Sequence, residues 1–211
     1  MVSQNVMVSQ NVIKNNKIIV VGDTNVGKTT MLHNYVYGVQ KRLHASTVGV
    51  DFMVVNKTIK KGEAVHLQIW DVAGHELFRS IIKMFYKGIL GAIVMFDVTN
   101  KKSFEDVSYW INDIRKNTKH PYSLPIPVIL LANINSHPHP HPHNKRVVSE
   151  SEAKKIAKDN NMIYREISID NETDLNEMFE VLYESIYNNV TRERIAENML
   201  QNKSSECCTI Q

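Results

Sequence analysis

The sequence predicts a doubly wound α/β domain whose six-stranded sheet is mostly parallel and carries one antiparallel edge strand. Three observations predict this fold. Apolar runs of strand length, rich in β-branched residues, recur along the chain. Amphipathic segments with helical periodicity lie between most of these runs. One neighbouring pair of runs is joined by a short turn, which predicts an antiparallel hairpin.

The strands are predicted from the apolar runs. Four runs are typical of buried parallel strands and comprise residues 17–22, 65–72, 92–98 and 127–133. The segment 50–61 alternates between apolar and polar residues and is predicted to be the edge strand, paired with 65–72 around Lys61-Gly62. A weaker run over 162–168 is predicted to be the sixth strand.

Helical periodicity is found in four segments, at residues 27–38, 103–118, 149–160 and 173–190. The third segment begins with Ser149 and Glu152, which have the spacing of a capping box. Residues 1–16 contain a direct repeat of MVSQNV and are expected to be a disordered leader. Residues 191–211 are polar without an apolar face and are expected to form a hypervariable tail. The folded domain is therefore expected to span residues 17–190.

The composition argues against several classes of protein. Of the 211 residues, 43% are hydrophobic, which suits a chain with a buried core. The net charge is only +3 and the basic residues are scattered, so no nucleic-acid partner is expected. No apolar run approaches the roughly 18 residues that a membrane span needs. The polar start of the chain has no signal-peptide pattern, so a secreted protein is not expected either.

Residues 22–29 have the sequence GDTNVGKT and match the phosphate-loop pattern G-x-x-x-x-G-K-[ST]. The motif follows an apolar strand and opens a helix, as phosphate binding by backbone N–H groups requires. Lys28 is expected to reach the β- and γ-phosphates, and the Thr29 hydroxyl is expected to ligate Mg²⁺. Asn25 stands where such loops often have glycine, and Asn tolerates a left-handed backbone better than most residues. Phosphate contacts are expected from Gly22, Asp23, Thr24, Asn25, Val26, Gly27, Lys28, Thr29 and Thr30.

Three further motifs follow in order: STVGVDF at 46–52, WDVAGHE at 70–76 and FDVTN at 96–100. Together with the phosphate loop they resemble the small GTPases of the Ras superfamily, and specifically the Rab family. The resemblance covers residues 17–190 and implies a P-loop GTPase fold that binds GTP or GDP with Mg²⁺. It also implies that Thr47 ligates Mg²⁺, that Asp71 holds Mg²⁺ through water and that the amide of Gly74 contacts the γ-phosphate.

The resemblance also identifies a candidate surface for effectors. Val50, Phe52, Trp70 and Phe85 fall where Rab proteins carry the surface that effectors recognise, and the last three match its aromatic triad. Packing between the strands is the alternative interpretation for Phe52 and Trp70, because aromatic residues in strands are usually in the core. The sequence leaves both interpretations open.

His75 stands at the catalytic position where these enzymes have a glutamine that orients the attacking water. An imidazole is shorter and cannot present the donor and the acceptor of a carboxamide together. Slow intrinsic hydrolysis is therefore expected. The resemblance also implies that an activating protein can supply its own glutamine and arginine.

The base-binding motifs depart furthest from the family. The Asn-Lys-x-Asp motif is here Asn133-Ile134-Asn135-Ser136, so a hydroxyl replaces the carboxylate that pairs with guanine. The Ser-Ala-Lys motif becomes Ser168-Ile169-Asp170, and Gln40 replaces the base-stacking phenylalanine. We expect weak guanine binding with a reduced preference over adenine. An alternative register uses Asn144-Lys145-Arg146 with Val147 at the Asp position, but it lies far from the strand.

Residues 137–143 alternate His and Pro, which favours an extended loop. Histidines at this spacing could bind Zn²⁺ or Ni²⁺, but a tolerated low-complexity insertion is the favoured interpretation.

The two cysteines, Cys207 and Cys208, are adjacent and cannot build a disulfide framework or a four-ligand zinc site. Cys208-Thr209-Ile210-Gln211 fits a C-a-a-X box whose last residue suggests farnesylation, whereas the resemblance to Rab tails implies geranylgeranylation. The tail has few basic residues, so stable anchoring would need two lipids. An unmodified tail is the alternative.

The leading interpretation is a Rab-like GTP-binding switch in vesicle traffic, lipid-anchored on the cytoplasmic face of an endomembrane or the plasma membrane, with a cytosolic pool. The resemblance implies an exchange factor, an activating protein, a dissociation inhibitor, a prenyltransferase escort and effectors as partners. Two alternatives stay open: a nucleotide-insensitive adaptor on the same fold, and a P-loop nucleoside triphosphatase with relaxed base choice.

Overall fold

The computed structural model describes residues 16–38, 47–58, 64–118, 125–134 and 145–206. Several sequence predictions fall outside these described residues, namely those for residues 1–15, Gln40, Lys61-Gly62, Asn135-Ser136, residues 137–143, Asn144, Cys207 and Cys208.

Six strands of the described residues form one sheet: β1 (Asn16–Gly22), β2 (Val50–Thr58), β3 (Ala64–Val72), β4 (Gly91–Asp97), β5 (Val128–Asn133) and β6 (Ile163–Ile167). Their order across the sheet is β2-β3-β1-β4-β5-β6. The β2–β3 pair is antiparallel, and the other neighbouring pairs are parallel. The predicted sheet, with its antiparallel edge strand, is confirmed.

The α-helices of the described residues are α1 (Lys28–Tyr37), α2 (Arg79–Ile82), α3 (Lys101–Glu105), α4 (Val107–Asn117), α5 (Glu150–Asp159) and α6 (Glu172–Glu206). Two short 3₁₀ helices, Glu76–Phe78 and Lys83–Tyr86, flank α2. The predicted capping box of α5 is confirmed, because Ser149 Oγ accepts from the Glu152 amide at 3.2 Å and the Ser149 amide donates to the Glu152 carboxylate at 2.9 Å. None of the described helices combines the length and hydropathy of a membrane span.

The sheet has an apolar core on each face, as the doubly wound prediction requires. Alternate residues of β1 point to opposite faces. Ile18 and Val20 pack with α1 and α6 on one side, whereas Ile19 and Val21 pack with α4 and α5 on the other. Burying one such side chain contributes roughly 1.5–3 kcal/mol. The two cores therefore hold the sheet rigidly between its helices.

Two helix predictions need correction, and one helical segment was not predicted. The predicted helix 103–118 is two helices, and the first begins at Lys101 because the Asn100 side chain accepts from the Ser103 amide and caps it. The predicted helix end at 190 is wrong, since α6 continues to Glu206. No Gly or Pro interrupts the sequence of α6, so nothing in it ends the helix earlier. The short helices between Glu76 and Tyr86 were not predicted.

Candidate functional site

The predicted site residues come together at one edge of the sheet. The parallel strands β1, β3, β5 and β6 all end at this edge, where Gly22, Asp71, Asn133 and Ile167 lie. The antiparallel β2 begins at the same edge, and Thr47 precedes it by three residues. In α/β folds the carboxyl edge of the sheet is where ligands bind.

The phosphate loop has the backbone that its sequence predicts. Asn25 has φ +59° and Gly27 has φ +98°, both in the left-handed region. A Cβ on Gly22 would lie 2.2 Å from the carbonyl oxygen of Met95, so no side chain fits there. Gly27 precedes α1 and offers no side-chain acceptor to the first turn of the helix. The N–H groups of that turn are therefore placed for an anion.

Lys28 lies buried within the phosphate loop. Its Nζ donates to the carbonyl oxygens of Gly22 at 2.9 Å and Asp23 at 2.7 Å. Burial lowers the pKa of Lys28 to about 8, against the opposing effect of the Asp71 and Asp23 carboxylates. The ammonium is thus held at the centre of the loop, where a phosphate oxygen is expected.

The three predicted metal ligands converge. The Thr29 hydroxyl lies 2.5 Å from the Thr47 hydroxyl and donates to Asp71 Oδ2 at 2.6 Å, and the Thr47 hydroxyl donates to the same oxygen at 3.2 Å. Asp71 is buried, and its Oδ1 has no hydrogen-bond partner among the described residues. Burial raises the pKa of Asp71, although the hydrogen bond from Thr29 and the charge of Lys28 act in the opposite direction. Hydroxyl and carboxylate oxygens are the hard donors that Mg²⁺ takes, so these residues fit that ion.

Gly74 packs directly on the phosphate loop. A Cβ at this position would lie 2.4 Å from the carbonyl carbon of Asp23 and 2.5 Å from the carbonyl oxygens of Asp23 and Gly22. Only a residue without a side chain allows the segment after β3 to approach the loop so closely. The position is compatible with the amide contact predicted for Gly74.

His75 is exposed, and its side chain makes a local contact. Its Nδ1 accepts from the Leu77 amide at 3.3 Å and caps the 3₁₀ helix Glu76–Phe78. The ring also meets the edge of Phe78, with 6.3 Å between the centroids. The imidazole therefore stabilises the start of the helical segment that follows the site.

Two residues of the predicted base-binding motifs, Asn133 and Ile169, contact the phosphate loop. The buried Asn133 side chain donates through Nδ2 to the carbonyl oxygen of Val26 at 3.0 Å. A Cβ on Gly27 would lie 2.9 Å from Asn133 Nδ2 and 3.0 Å from Ile169 Cδ1. The Ile134 side chain is 41% exposed at the end of β5. Ile134 is therefore an exposed apolar group at this end of the site, whereas Ile169 is buried against the phosphate loop.

Ser168 shapes the loop that follows β6. Its Oγ accepts from the Asp170 amide at 3.3 Å, and its carbonyl accepts from the Asn171 amide at 3.0 Å. These bonds turn the chain towards α6 and place Ile169 against Gly27.

Comparison with known proteins agrees with this arrangement. A model of the Ras family matches residues 17–188. The chain is 34% identical over 175 residues to the Ras-related protein Rab-39A of Mus musculus, covering 81% of this chain and 77% of that protein. It is 36% identical over 179 residues to the Ras-related protein Rab-1 of Theileria parva, covering 83% and 76% respectively. The chain belongs to the Rab family of small GTPases.

Another similar protein is a probable Rab-related GTPase of Acanthamoeba polyphaga mimivirus, 38% identical over 148 residues. This match covers 70% of the chain and 65% of the viral protein. The predicted family and its P-loop GTPase fold are therefore confirmed, and membership of the Rab family implies guanine-nucleotide binding in general terms.

The aromatic residues at the Rab effector positions contact one another. Phe52 and Trp70 are paired across β2 and β3, with 5.5 Å between ring centroids, and Trp70 and Phe85 are 5.1 Å apart. Lys17 Nζ lies 4.6 Å from the Trp70 ring centroid. Phe52 is 55% exposed, whereas Val50, Trp70 and Phe85 are partly buried. The group combines packing between strands with an exposed aromatic surface.

Arg79, which no sequence motif indicates, anchors the segment after His75. Its guanidinium lies 4.2 Å from the Tyr109 ring centroid and 3.4 Å from a carboxylate oxygen of Asp106. These contacts join α2 to the region of α3 and α4. The only local partner of Arg79 among the described residues is Glu76, at 3.7 Å and three residues before it. Tyr109 and Asp106 lie in another part of the sequence, so no local pattern predicts that Arg79 anchors this segment.

A second residue without a sequence prediction is Asn34, on the buried face of α1. Its Nδ2 donates to the carbonyl oxygen of Ile169 at 2.8 Å and to Asp170 Oδ1 at 3.3 Å. The available signal was an amide among the apolar residues Met31, Leu32 and Tyr35. A polar side chain in such a position is usually hydrogen-bonded.

Proposed function

We propose that this Rab-family protein is a Mg²⁺-dependent GTP-binding switch in vesicle traffic, with slow intrinsic hydrolysis. The observation that carries the proposal is the convergence of Thr29, Thr47 and Asp71 beside the phosphate loop. These residues come from α1, from the segment before β2 and from β3. A contact shared by three segments allows nucleotide binding to control the position of a surface segment.

The phosphate end supplies the chemistry of the switch. Mg²⁺, held by Thr29, Thr47 and Asp71, would neutralise charge on the phosphates. Lys28 would donate to phosphate oxygens, and the Gly74 amide would contact the γ-phosphate. Thr47 and Gly74 would then tether two surface segments, and loss of the γ-phosphate would release both. Hydrolysis would be slow because His75 cannot orient water as glutamine does.

The partners follow from this switch. Effectors would bind the surface formed by Val50, Phe52, Trp70 and Phe85 in the GTP state. Prenyl groups on Cys207 and Cys208 would anchor the protein to the cytoplasmic face of a membrane, in exchange with a cytosolic pool. An exchange factor, an activating protein, a dissociation inhibitor and a prenyltransferase escort complete the proposed cycle.

The base end favours a second candidate, a P-loop nucleoside triphosphatase with relaxed base choice. The exposed Ile134 side chain offers apolar contact to any purine, and Ser136 lacks the charge that selects guanine. This candidate keeps the phosphate and metal chemistry and changes only the base.

The deciding experiment is to denature the purified protein and identify the released nucleotide by chromatography. Guanine nucleotide near one equivalent supports the switch, and a mixture of adenine and guanine nucleotides supports relaxed base choice. No nucleotide, together with unchanged partner binding after addition of GTP, supports the nucleotide-insensitive adaptor and contradicts the proposal.

A further inference from the structure

We propose that Asn34 is a positioning residue that couples α1 to the base-binding loop and sets the rate of nucleotide release. The inference rests on the proposed nucleotide-binding function. Asn34 lies outside the phosphate and base motifs. Its proposed role is to hold the phosphate end and the base end of the site in a fixed relative position.

The hydrogen bonds of Asn34 connect opposite ends of the site. Helix α1 begins at Lys28 in the phosphate loop, and Asn34 lies six residues along it, a rise of about 9 Å. From there its Nδ2 donates to the carbonyl oxygen of Ile169 at 2.8 Å and to Asp170 Oδ1 at 3.3 Å. One rigid helix therefore carries phosphate-binding groups on its first turn and holds the base-binding loop further along.

The hydrogen bond from Asn34 to the Ile169 carbonyl also affects the side chain of Ile169 and its contact with the phosphate loop. The Ile169 side chain reaches back to Gly27, where Cδ1 would lie 3.0 Å from an added Cβ. Asn133 closes the same contact from β5, because its Nδ2 donates to Val26. The phosphate loop, β5 and the loop after β6 thus pack against one another, and Asn34 connects this assembly to α1.

The burial of Asn34 indicates that its hydrogen bonds position Ile169 and do not serve only to stabilise the fold. The side chain is 2% exposed, and its Oδ1 has no hydrogen-bond partner among the described residues. A buried acceptor without a partner destabilises a fold. The two bonds from Nδ2 are directional, so they fix the position of Ile169, which a packed apolar residue would not do.

The unusual base motif makes this coupling more important. Ser136 stands where the family has the carboxylate that pairs with guanine. In the absence of that carboxylate, the position of the Ile169 segment contributes a larger share of base binding. Asp170 Oδ1 also accepts a hydrogen bond from Asn34 Nδ2, so the two side chains interact directly.

The test measures release of fluorescent GDP and GTP analogues by stopped flow, together with the affinity for inorganic tripolyphosphate. Asn34→Ala removes both hydrogen bonds of Nδ2 and should speed release about tenfold, mainly through loss of the buried bond to Ile169, and leave tripolyphosphate affinity unchanged. Asn34→Asp should release faster still, since its carboxylate would face the Ile169 carbonyl and Asp170. Asn189→Ala is the matched control, because Asn189 Nδ2 donates to the Pro125 carbonyl at 3.0 Å away from the site, and its release rate should be unchanged.

A second variant guards against misfolding. Asn34→Asp combined with Asp170→Asn exchanges donor and acceptor, so release should be slower than in Asn34→Asp alone. Equal release from both, or release from Asn34→Ala within twofold of the wild type, overturns the inference while the proposed function stands. Equal weakening of nucleotide and tripolyphosphate binding also overturns it, because that pattern indicates a general structural role. A wild-type protein that binds no nucleotide overturns both proposals.

Discussion

The Thr29 hydroxyl donates a 2.6 Å hydrogen bond to Asp71 Oδ2. The donor lies in the first turn of α1 and the acceptor near the end of β3, and Thr47 joins them from the segment before β2. This contact brings the phosphate loop and both sides of the β2–β3 hairpin to one point. Changes at Thr29 should therefore alter the position of Phe52 and Trp70, the two aromatic residues that lie on the same hairpin.

Thr29→Asn should favour the diphosphate-bound or empty protein and release it from effectors, since the larger amide cannot reproduce the hydroxyl hydrogen bonds. Chelation of Mg²⁺ should speed nucleotide release by at least about tenfold in the wild type, the effect of removing one charged interaction. The acceleration should be much smaller in Thr29→Asn. Release of a fluorescent analogue with and without EDTA measures both effects.

Thr99→Asn is the matched control for this experiment. The Thr99 hydroxyl donates to Asp97 Oδ1 at 2.8 Å, a similar hydroxyl–carboxylate bond that involves none of Thr29, Thr47 and Asp71. The control should keep its Mg²⁺ dependence. Unchanged triphosphate affinity in Thr29→Asn would contradict the assignment of the phosphate loop.

Gly74→Ala should abolish the difference between the GTP and GDP states in effector binding. The added Cβ would lie 2.4–2.5 Å from backbone atoms of Gly22 and Asp23, so the segment after β3 must move away from the phosphate loop. Effector capture with each nucleotide measures the change. Gly38→Ala is the control: it introduces strain at φ +84° but has no neighbour within 4 Å, and it should keep the difference.

His75→Gln should raise the intrinsic single-turnover rate of GTP hydrolysis, because the carboxamide restores a donor and an acceptor for the attacking water. His75→Asn can still accept from the Leu77 amide but is too short to orient water, so its rate should stay at the wild-type level. This control separates water orientation from capping of the 3₁₀ helix. A His75→Gln rate at or below the wild type would show that another residue limits hydrolysis.

Arg79→Ala should lower the free energy of unfolding by about 1–2 kcal/mol through loss of the stacking on Tyr109 and the ion pair with Asp106. Arg79→Lys should recover little, because an ammonium does not stack as a planar guanidinium does. Arg115→Ala, which removes exposed hydrogen bonds to Asn160, should lower the free energy of unfolding by less than Arg79→Ala does. Chemical denaturation of the three variants measures the order, and equal losses would contradict it.

The sequence predicts those features that depend on local pattern. The apolar runs place all six strands within two residues of their ends in the structure, apart from the far end of β2, and Ser149 with Glu152 marks the start of α5. A backbone conformation that depends on one short segment is also predictable. Asn25, with its left-handed φ in the phosphate loop, is an example, because the loop pattern requires a residue that tolerates this conformation. The family resemblance adds the proposed metal-binding roles of Thr47 and Asp71, which no local pattern predicts.

Hydrogen bonds between residues far apart in the sequence could not be predicted from it. Asn34 and Ile169 are 135 positions apart, and only the packing of α1 beside the loop after β6 joins them. The end of α6 differs from its prediction for another reason. The polarity after residue 190 favours a tail, although every residue there tolerates a helix.

The last prediction concerns base selectivity and the variant Ser136→Asp with Ile134→Lys. In the wild type, Asn133 is buried and bonded to Val26, Ile134 presents an apolar side chain, and Ser136, which lies outside the described residues, offers at most neutral hydrogen bonds. A carboxylate at position 136 would accept from two donors of guanine and exclude adenine, which lacks them. Affinity for GTP should therefore rise, and the preference for GTP over ATP should increase by about 10²–10³, the effect of a charged bidentate interaction.

Competition of GTP and ATP against one labelled analogue measures both quantities. Ile134→Lys alone is the control, because it adds cover for the base without the selecting carboxylate, and it should raise affinity for both nucleotides alike. Tight, strongly guanine-selective binding by the wild type would refute the prediction. It would also mean that another residue supplies the selecting group, for example in residues 137–146 or at Asp170, which carries a carboxylate in the loop after β6.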